Sequence, residues 1–213
     1  FYHDVSDKEG IRSNSVYSLL VDDRGAVWVG HFQAGLDYSL YQNGLFRTYA
    51  YPPLFNSANL SIRSFISRGQ EKVIGSRDGL FYINEATGMV KSFVKPVLTS
   101  DLILTISFYQ GEYYIGTYGG GMMVLNPETL SLKYFSQSDT ELFQKGHIFC
   151  VKPDTKGNLW IGTSQGLFNY NGQTKQIKHF TSANSQLLEG NVYEVSFDST
   201  GKGWIATGTG MCI

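Results

Sequence analysis

A phrase of three residues, aromatic or apolar, then β-branched, then glycine, recurs along the chain and constrains its fold more than any other feature. The copies are Trp28-Val29-Gly30, Val73-Ile74-Gly75, Tyr114-Ile115-Gly116, Trp160-Ile161-Gly162 and Trp204-Ile205-Ala206, the last with alanine in the third place. Their third residues are 45, 41, 46 and 44 positions apart. A second phrase follows in each copy, at Gly35-Leu36, Gly79-Leu80, Gly121-Met122, Gly166-Leu167 and Gly210-Met211, at intervals of 44, 42, 45 and 44. Two signals that keep one period describe a repeat protein.

Each copy has an apolar segment upstream: Val16 to Val21, Ile62 to Ile66, Leu102 to Phe108, Ile148 to Val151 and Val192 to Phe197. Three copies join it to the aromatic segment through an acidic turn, at Asp22-Asp23-Arg24-Gly25, Asp154-Thr155-Lys156-Gly157-Asn158 and Asp198-Ser199-Thr200-Gly201. Asp or Asn followed by Gly is hairpin chemistry, because glycine supplies the positive φ of a tight turn. Further turns at Gln42-Asn43-Gly44, Glu85 to Gly88 and Asn171-Gly172 separate a third from a fourth strand. The predicted unit is a four-stranded antiparallel sheet of about 44 residues.

Neither face of such a sheet is polar. By simple alternation Val16 and Leu20 share one side of the first strand, and Tyr17, Leu19 and Val21 the other. Radial packing of blade on blade buries both sides, so the expected fold is all-β, a β-propeller or partial propeller of about five blades. Complete blades are expected at about 15–49, 62–93, 102–135 and 147–180, with a partial blade at 191–213, all in one propeller segment of a larger ectodomain. The glycine after the β-branched residue is expected to admit a neighbouring backbone.

A net charge of −1 provides no long-range field for a polyanion, which argues against nucleic acid and against contact with an anionic membrane. Cys150 and Cys212 are too few for a disulfide framework and have no metal-ligand spacing. The four histidines likewise lack metal spacing, and no Gly-x-Ser-x-Gly nucleophile motif occurs, so neither a cofactor, a metal nor a catalytic residue is expected. Asn59-Leu60-Ser61 fits a glycosylation sequon, a pattern common by chance. The tryptophans occupy equivalent strand positions and are read as packing between blades.

Several stretches carry a family resemblance. Gly10-Ile11-Arg12-Ser13-Asn14-Ser15-Val16-Tyr17-Ser18, Asp22 to Gly30, and above all Gly157-Asn158-Leu159-Trp160-Ile161-Gly162-Thr163-Ser164-Gln165-Gly166-Leu167 resemble two-component regulator propeller repeats. Those repeats belong to the periplasmic sensors of hybrid two-component systems in gut Bacteroides and relatives. His31 stands where the repeat usually has Thr, which Thr117 and Thr163 retain. The resemblance implies a periplasmic sensing segment of a sensor histidine kinase, with an oligosaccharide ligand. The rest of the ectodomain and a homodimer partner would be its protein contacts, and the kinase itself would lie outside this segment.

Antiparallel connectivity puts the second-to-third-strand loops and the blade-to-blade connections on one rim, the natural place for a ligand. His31, Phe32, Gln33, Arg77, Tyr118 and Gln165 are the candidate ligand contacts, with Asp78 and Ser164 beside them and Tyr51, Arg63, Asp101 and His147 on the connections. Aromatic faces and planar amide or guanidinium groups suit a sugar. Two other readings stand beside recognition. A propeller lyase or hydrolase would need two or more of His31, Asp101, His147 and His179 to converge, and a dimerisation scaffold would show exposed aromatic patches.

Overall fold

The computed structural model describes residues 2–7, 9–40, 45–49, 60–135 and 142–213. Tyr51, the Gln42-Asn43-Gly44 turn and Asn59 of the sequon lie outside the described residues. The fold is all-β, built of propeller blades: four sheets of four strands and one of three, each an antiparallel meander in chain order. The first contains β1 (Val16–Val21), β2 (Ala26–His31), β3 (Leu36–Leu40) and β4 (Phe46–Thr48). The second contains β5 (Ile62–Arg68), β6 (Glu71–Ser76), β7 (Leu80–Asn84) and β8 (Met89–Phe93). The third contains β9 (Ile103–Tyr109), β10 (Glu112–Thr117), β11 (Met122–Leu125) and β12 (Leu132–Tyr134). The fourth contains β13 (Ile148–Pro153), β14 (Asn158–Thr163), β15 (Gly166–Asn171) and β16 (Ile177–Phe180), and the fifth β17 (Val192–Phe197), β18 (Gly203–Thr207) and β19 (Gly210–Cys212). Among the described residues one helical turn, α1 (Leu142–Lys145), which no sequence periodicity announced, buries Leu142 and Phe143. The chain divides into two compact units, residues 1–103 and 104–213.

The acidic turns explain part of the repeat. The Asp22 carboxylate accepts hydrogen bonds from Arg24 N (3.0 Å), Ala26 N (2.9 Å) and the Trp28 indole Nε1 (2.9 Å). Asp154 does the same for Lys156 N, Asn158 N and Trp160 Nε1, at 2.9, 2.8 and 2.9 Å. Asp198 repeats the arrangement more loosely, with Trp204 Nε1 at 3.5 Å. One carboxylate thus closes the hairpin and satisfies the indole six residues on, which a buried N–H requires. Copies two and three have neither the Asp nor the Trp. Turn carboxylate and indole thus occur together in the copies that have them, each the other's partner.

Within unit 1 the Trp28 side of the first sheet packs on the Ile74 side of the second, around Ala26, Leu36, Ile62, Phe65 and Phe81. Trp28 stacks on Tyr38 with centroids 5.1 Å apart. Buried Lys72 is satisfied by Gly69 O at 2.9 Å and Glu85 at 3.2 Å. Within unit 2 the Tyr114 side of the third sheet meets the Ile161 side of the fourth, and the Trp160 side of the fourth meets the Ile205 side of the fifth. As expected, the phrase glycines are points of close approach. A Cβ on Gly30 would lie 3.0 Å from Ile62 O, on Gly116 2.9 Å from Ile148 O, and on Gly162 2.7 Å from Val192 O. Side chains larger than hydrogen would push these sheets apart.

The alternation expected for the first strand does not hold. The ladder slips by one residue between Val16 and Ser18, Ile62 and Ser64, Ile148 and Cys150, and Val192 and Glu194. Tyr17, Arg63, Phe149 and Tyr193 are therefore extra residues in the ladder, as in a β-bulge, and the face assignment inverts after each of them. Ile62 and Phe65 share a face, as do Ile148 and Val151, and Val192 and Val195. By the same register Val16 groups with Leu19, while Leu20 packs toward the second sheet.

Candidate functional site

The bulge sets up the candidate site. It lies where a blade-to-blade connection enters the innermost strand, and it turns one side chain per blade out of the alternating pattern. Beside it, the loop between second and third strands is tied down by a recurring main-chain bond. Phe32 N donates to Ser15 O (2.9 Å), Arg77 N to Ser61 O (3.1 Å), Ser164 N to His147 O (3.2 Å) and Gly208 N to Asn191 O (3.0 Å). Within each of these blades the bond holds loop and connection together as a rim, as antiparallel connectivity requires. The Thr or Ser after the phrase glycine stiffens the loop from inside. Its hydroxyl donates to the glycine carbonyl in Ser76→Gly79 (3.0 Å), Thr117→Gly121 (2.9 Å), Thr163→Gly166 (2.8 Å) and Thr207→Gly210 (3.0 Å).

In unit 2 the rim carries a row of rings. Tyr118 stacks on His147 with centroids 4.0 Å apart, His147 lies 6.1 Å from Phe149, and Phe149 lies 5.0 Å from Tyr193. Both ends of the row are about half exposed. Asn191 Nδ2 donates to the Tyr193 hydroxyl at 3.0 Å and also lines an adjoining cleft of about 320 Å³. That cleft is walled by the polar groups of Ser164, Gln165, Thr181, Ser182, Glu189 and Asn191 together with Leu187 and Leu188. The arrangement offers flat apolar faces beside amide and hydroxyl groups and the single Glu189 carboxylate.

In unit 1 the corresponding residues form a smaller cluster. Tyr17 lies 5.3 Å from Phe32, and the Arg63 guanidinium sits over the Tyr17 ring at 4.8 Å. Gln33 and Arg77 are exposed, Gln33 with φ of 53°. Asp78 is exposed as well, and Asp101 accepts Lys95 N at 2.7 Å.

His31 departs from its expected place. Its side chain is fully buried and Nε2 bonds Asp37 at 2.9 Å, so it is not presented to solvent as a ligand contact. The reason is local: Asp37, also buried, accepts Arg12 N at 2.8 Å, and the imidazole completes that pair instead of closing the loop as Thr does elsewhere. The histidines and the acid named for catalysis each have other partners. His31 bonds Asp37, Asp101 bonds Lys95 N, His147 stacks on Tyr118, and exposed His179 bonds Gln165 O at 2.7 Å. Among the described residues no group of three His, Cys, Asp or Glu could hold a metal. Burial, then a nearby carboxylate, pushes the Cys150 thiol up to about 12, which keeps it protonated and inert.

Sequence reasoning missed Tyr17, Phe149 and Tyr193. The available signal was a non-aliphatic residue in the same second place of the innermost strand, after Val16, Ile62, Ile148 and Val192.

Comparison with known proteins agrees with this architecture. Residues 10–33 and 143–165 match the two-component regulator propeller family. The extracellular domain of a hybrid two-component system from B. thetaiotaomicron is 25% identical with a TM-score of 0.74, over 99% of this chain and 28% of that one. A second such extracellular domain from B. thetaiotaomicron is 18% identical, with a TM-score of 0.60 over 95% of this chain and 32% of that one. PorZ, a surface component of the type-IX secretion system of Porphyromonas gingivalis, is 16% identical, with a TM-score of 0.76 over 99% of this chain and 33% of its own. The latter two carry the fold alone. The chain thus spans roughly a third or less of each of these three structures. No curated protein matches it. No helix among the described residues is long and apolar enough to cross a membrane.

Proposed function

From the two segments that match two-component regulator propeller repeats, we propose that the chain is a recognition segment of an extracytoplasmic sensor, placed in the periplasm, that reads an oligosaccharide. A histidine kinase in the same signalling protein would carry the phosphotransfer. The observation that carries the reading is the ring row Tyr118–His147–Phe149–Tyr193 running into the amide- and hydroxyl-lined cleft at Asn191. Pyranose rings present an apolar C–H face and a hydroxyl edge, and this surface has a counterpart for each. Main-chain bonds already hold the rim loops, so little ordering opposes binding.

Calorimetric titration with a panel of neutral and acidic oligosaccharides tests the reading. One of them should bind, and Tyr193→Ala should weaken it about tenfold, the scale of one lost aromatic contact. If no oligosaccharide binds while another ligand class does, or if Tyr193→Ala and Tyr118→Ala both leave affinity unchanged, the assignment fails.

A further inference from the structure

The bulge residue of an innermost strand stands beside the first residue of the loop between the second and third strands. In the first sheet these are Tyr17 and Phe32, whose ring centroids are 5.3 Å apart. In the fifth they are Tyr193 and Gly208, where a Cβ on the glycine would lie 3.8 Å from Tyr193 Cε2. The second sheet has the same register, with Ile62 opposite Ser76 as Val16 is opposite His31. It also has the same main-chain bond, Arg77 N to Ser61 O as Phe32 N to Ser15 O. Its residues at the two places are Arg63 and Arg77, so the fold sets two arginines at adjoining positions of one sheet.

Neither charge is neutralised. Among the described residues no carboxylate forms an ion pair with Arg63 or Arg77. Asp101 is bonded to Lys95 N, and Asp78, next to Arg77 in the chain, is exposed. Residues 50–59, which lead into the second sheet, contain no Asp or Glu. Arg63 Nε is buried with no acceptor, although buried donors are nearly always paired. The Arg63 guanidinium lies 4.8 Å from the centre of the Tyr17 ring, a contact that holds the cation against the first sheet.

We propose that Arg63 and Arg77 form a carboxylate-binding site, made wholly of unit 1 residues, with Tyr17 and Phe32 as the apolar surface beside it. A guanidinium presents a planar fork of N–H donors that matches the two oxygens of a carboxylate, and two neighbouring cations without a counter-charge favour an anion between them. The equivalent places in unit 2 hold Phe149 with Ser164 and Tyr193 with Gly208, none of them charged, so anion selectivity belongs to the second sheet. The carboxylate chemistry stands on these residues alone. That a sugar carries it, as a uronic acid, rests on the oligosaccharide reading above.

Titration of nitrogen-15-labelled protein with digalacturonate, with its neutral methyl ester and with benzoate, followed through the arginine Nε–H resonances, is the test. Digalacturonate and benzoate should shift the Arg63 and Arg77 signals saturably, and the ester should not. Arg63→Gln and Arg77→Gln should each weaken binding about tenfold, the scale of one lost charge-assisted hydrogen bond. Arg77 is exposed, so its variant should keep the wild-type circular dichroism and carries the test even where Arg63→Gln does not fold. Tyr193→Ala, in unit 2, should leave the carboxylate affinity unchanged. Benzoate binding without digalacturonate binding keeps the carboxylate site and overturns the sugar as its carrier. Failure of both carboxylates to bind, an ester that binds as tightly as the acid, or affinity indifferent to Arg77→Gln overturns the site itself.

Discussion

Replacing Asp22 with alanine removes a carboxylate that three donors share, and the structure indicates how much this should cost. Arg24 is exposed, so its N–H recovers a bond from water at little loss. Ala26 N and Trp28 Nε1 cannot, because Ala26 and Trp28 are 3% and 4% exposed. A stranded buried donor costs about 1–3 kcal/mol, which places Asp22→Ala at about 2–4 kcal/mol after partial relaxation. Trp28→Phe removes one of the two stranded donors while keeping most of the ring packing on Tyr38 and Phe65. In the double variant the indole no longer needs the carboxylate, so the two costs should fall short of adding by about 1–2 kcal/mol. Urea denaturation followed by far-ultraviolet circular dichroism measures all four chains of the cycle. A cost below about 0.5 kcal/mol for Asp22→Ala, or strict additivity, would refute the claim that turn and ring form one unit.

Acid should loosen the protein through the same carboxylates. Hydrogen bonds from Thr200 and Lys202 draw Asp198 down from 3.8 to about 2, and Asp22 and Asp154 are also lowered, hydrogen bonds from the turn and the indole outweighing a burial effect in the other direction. A carboxyl held below its unfolded value contributes stability that is complete above about 3.8 and is lost as pH falls through the folded value, toward about 2 for Asp198. A denaturation midpoint that stays flat across that window would contradict the assignment. Separately, Gly162→Ala should destabilise by about 1–3 kcal/mol, since its Cβ must displace Val192 and Cys150, and the thermal midpoint should fall accordingly. An unchanged midpoint would mean that the fourth and fifth sheets are not as close as described.

The period, the sheet unit and the hairpin turns were legible in the sequence because they rest on local chemistry: alternation, acidic turns and glycine at fixed offsets. The role of the phrase glycines was legible too, since backbone approach leaves a small residue as its trace. Which loops and connections meet within a blade was legible from connectivity, but which side chains they expose was only partly so. Phe32, Tyr118, His147 and Gln165 lie on such loops and connections, whereas His31 turns inward to a carboxylate whose burial no local pattern signals. Tyr17, Phe149 and Tyr193 were overlooked because a bulge changes which face a side chain meets without changing the residues around it.

By itself, then, the sequence determined that this chain must be a stack of two-faced sheets, because residues apolar on both sides of a short strand have no stable alternative in water. Only the tertiary structure decided which side chains escape that burial. Escape depends on ladder slips and on how one sheet packs on the next, which no single repeat specifies.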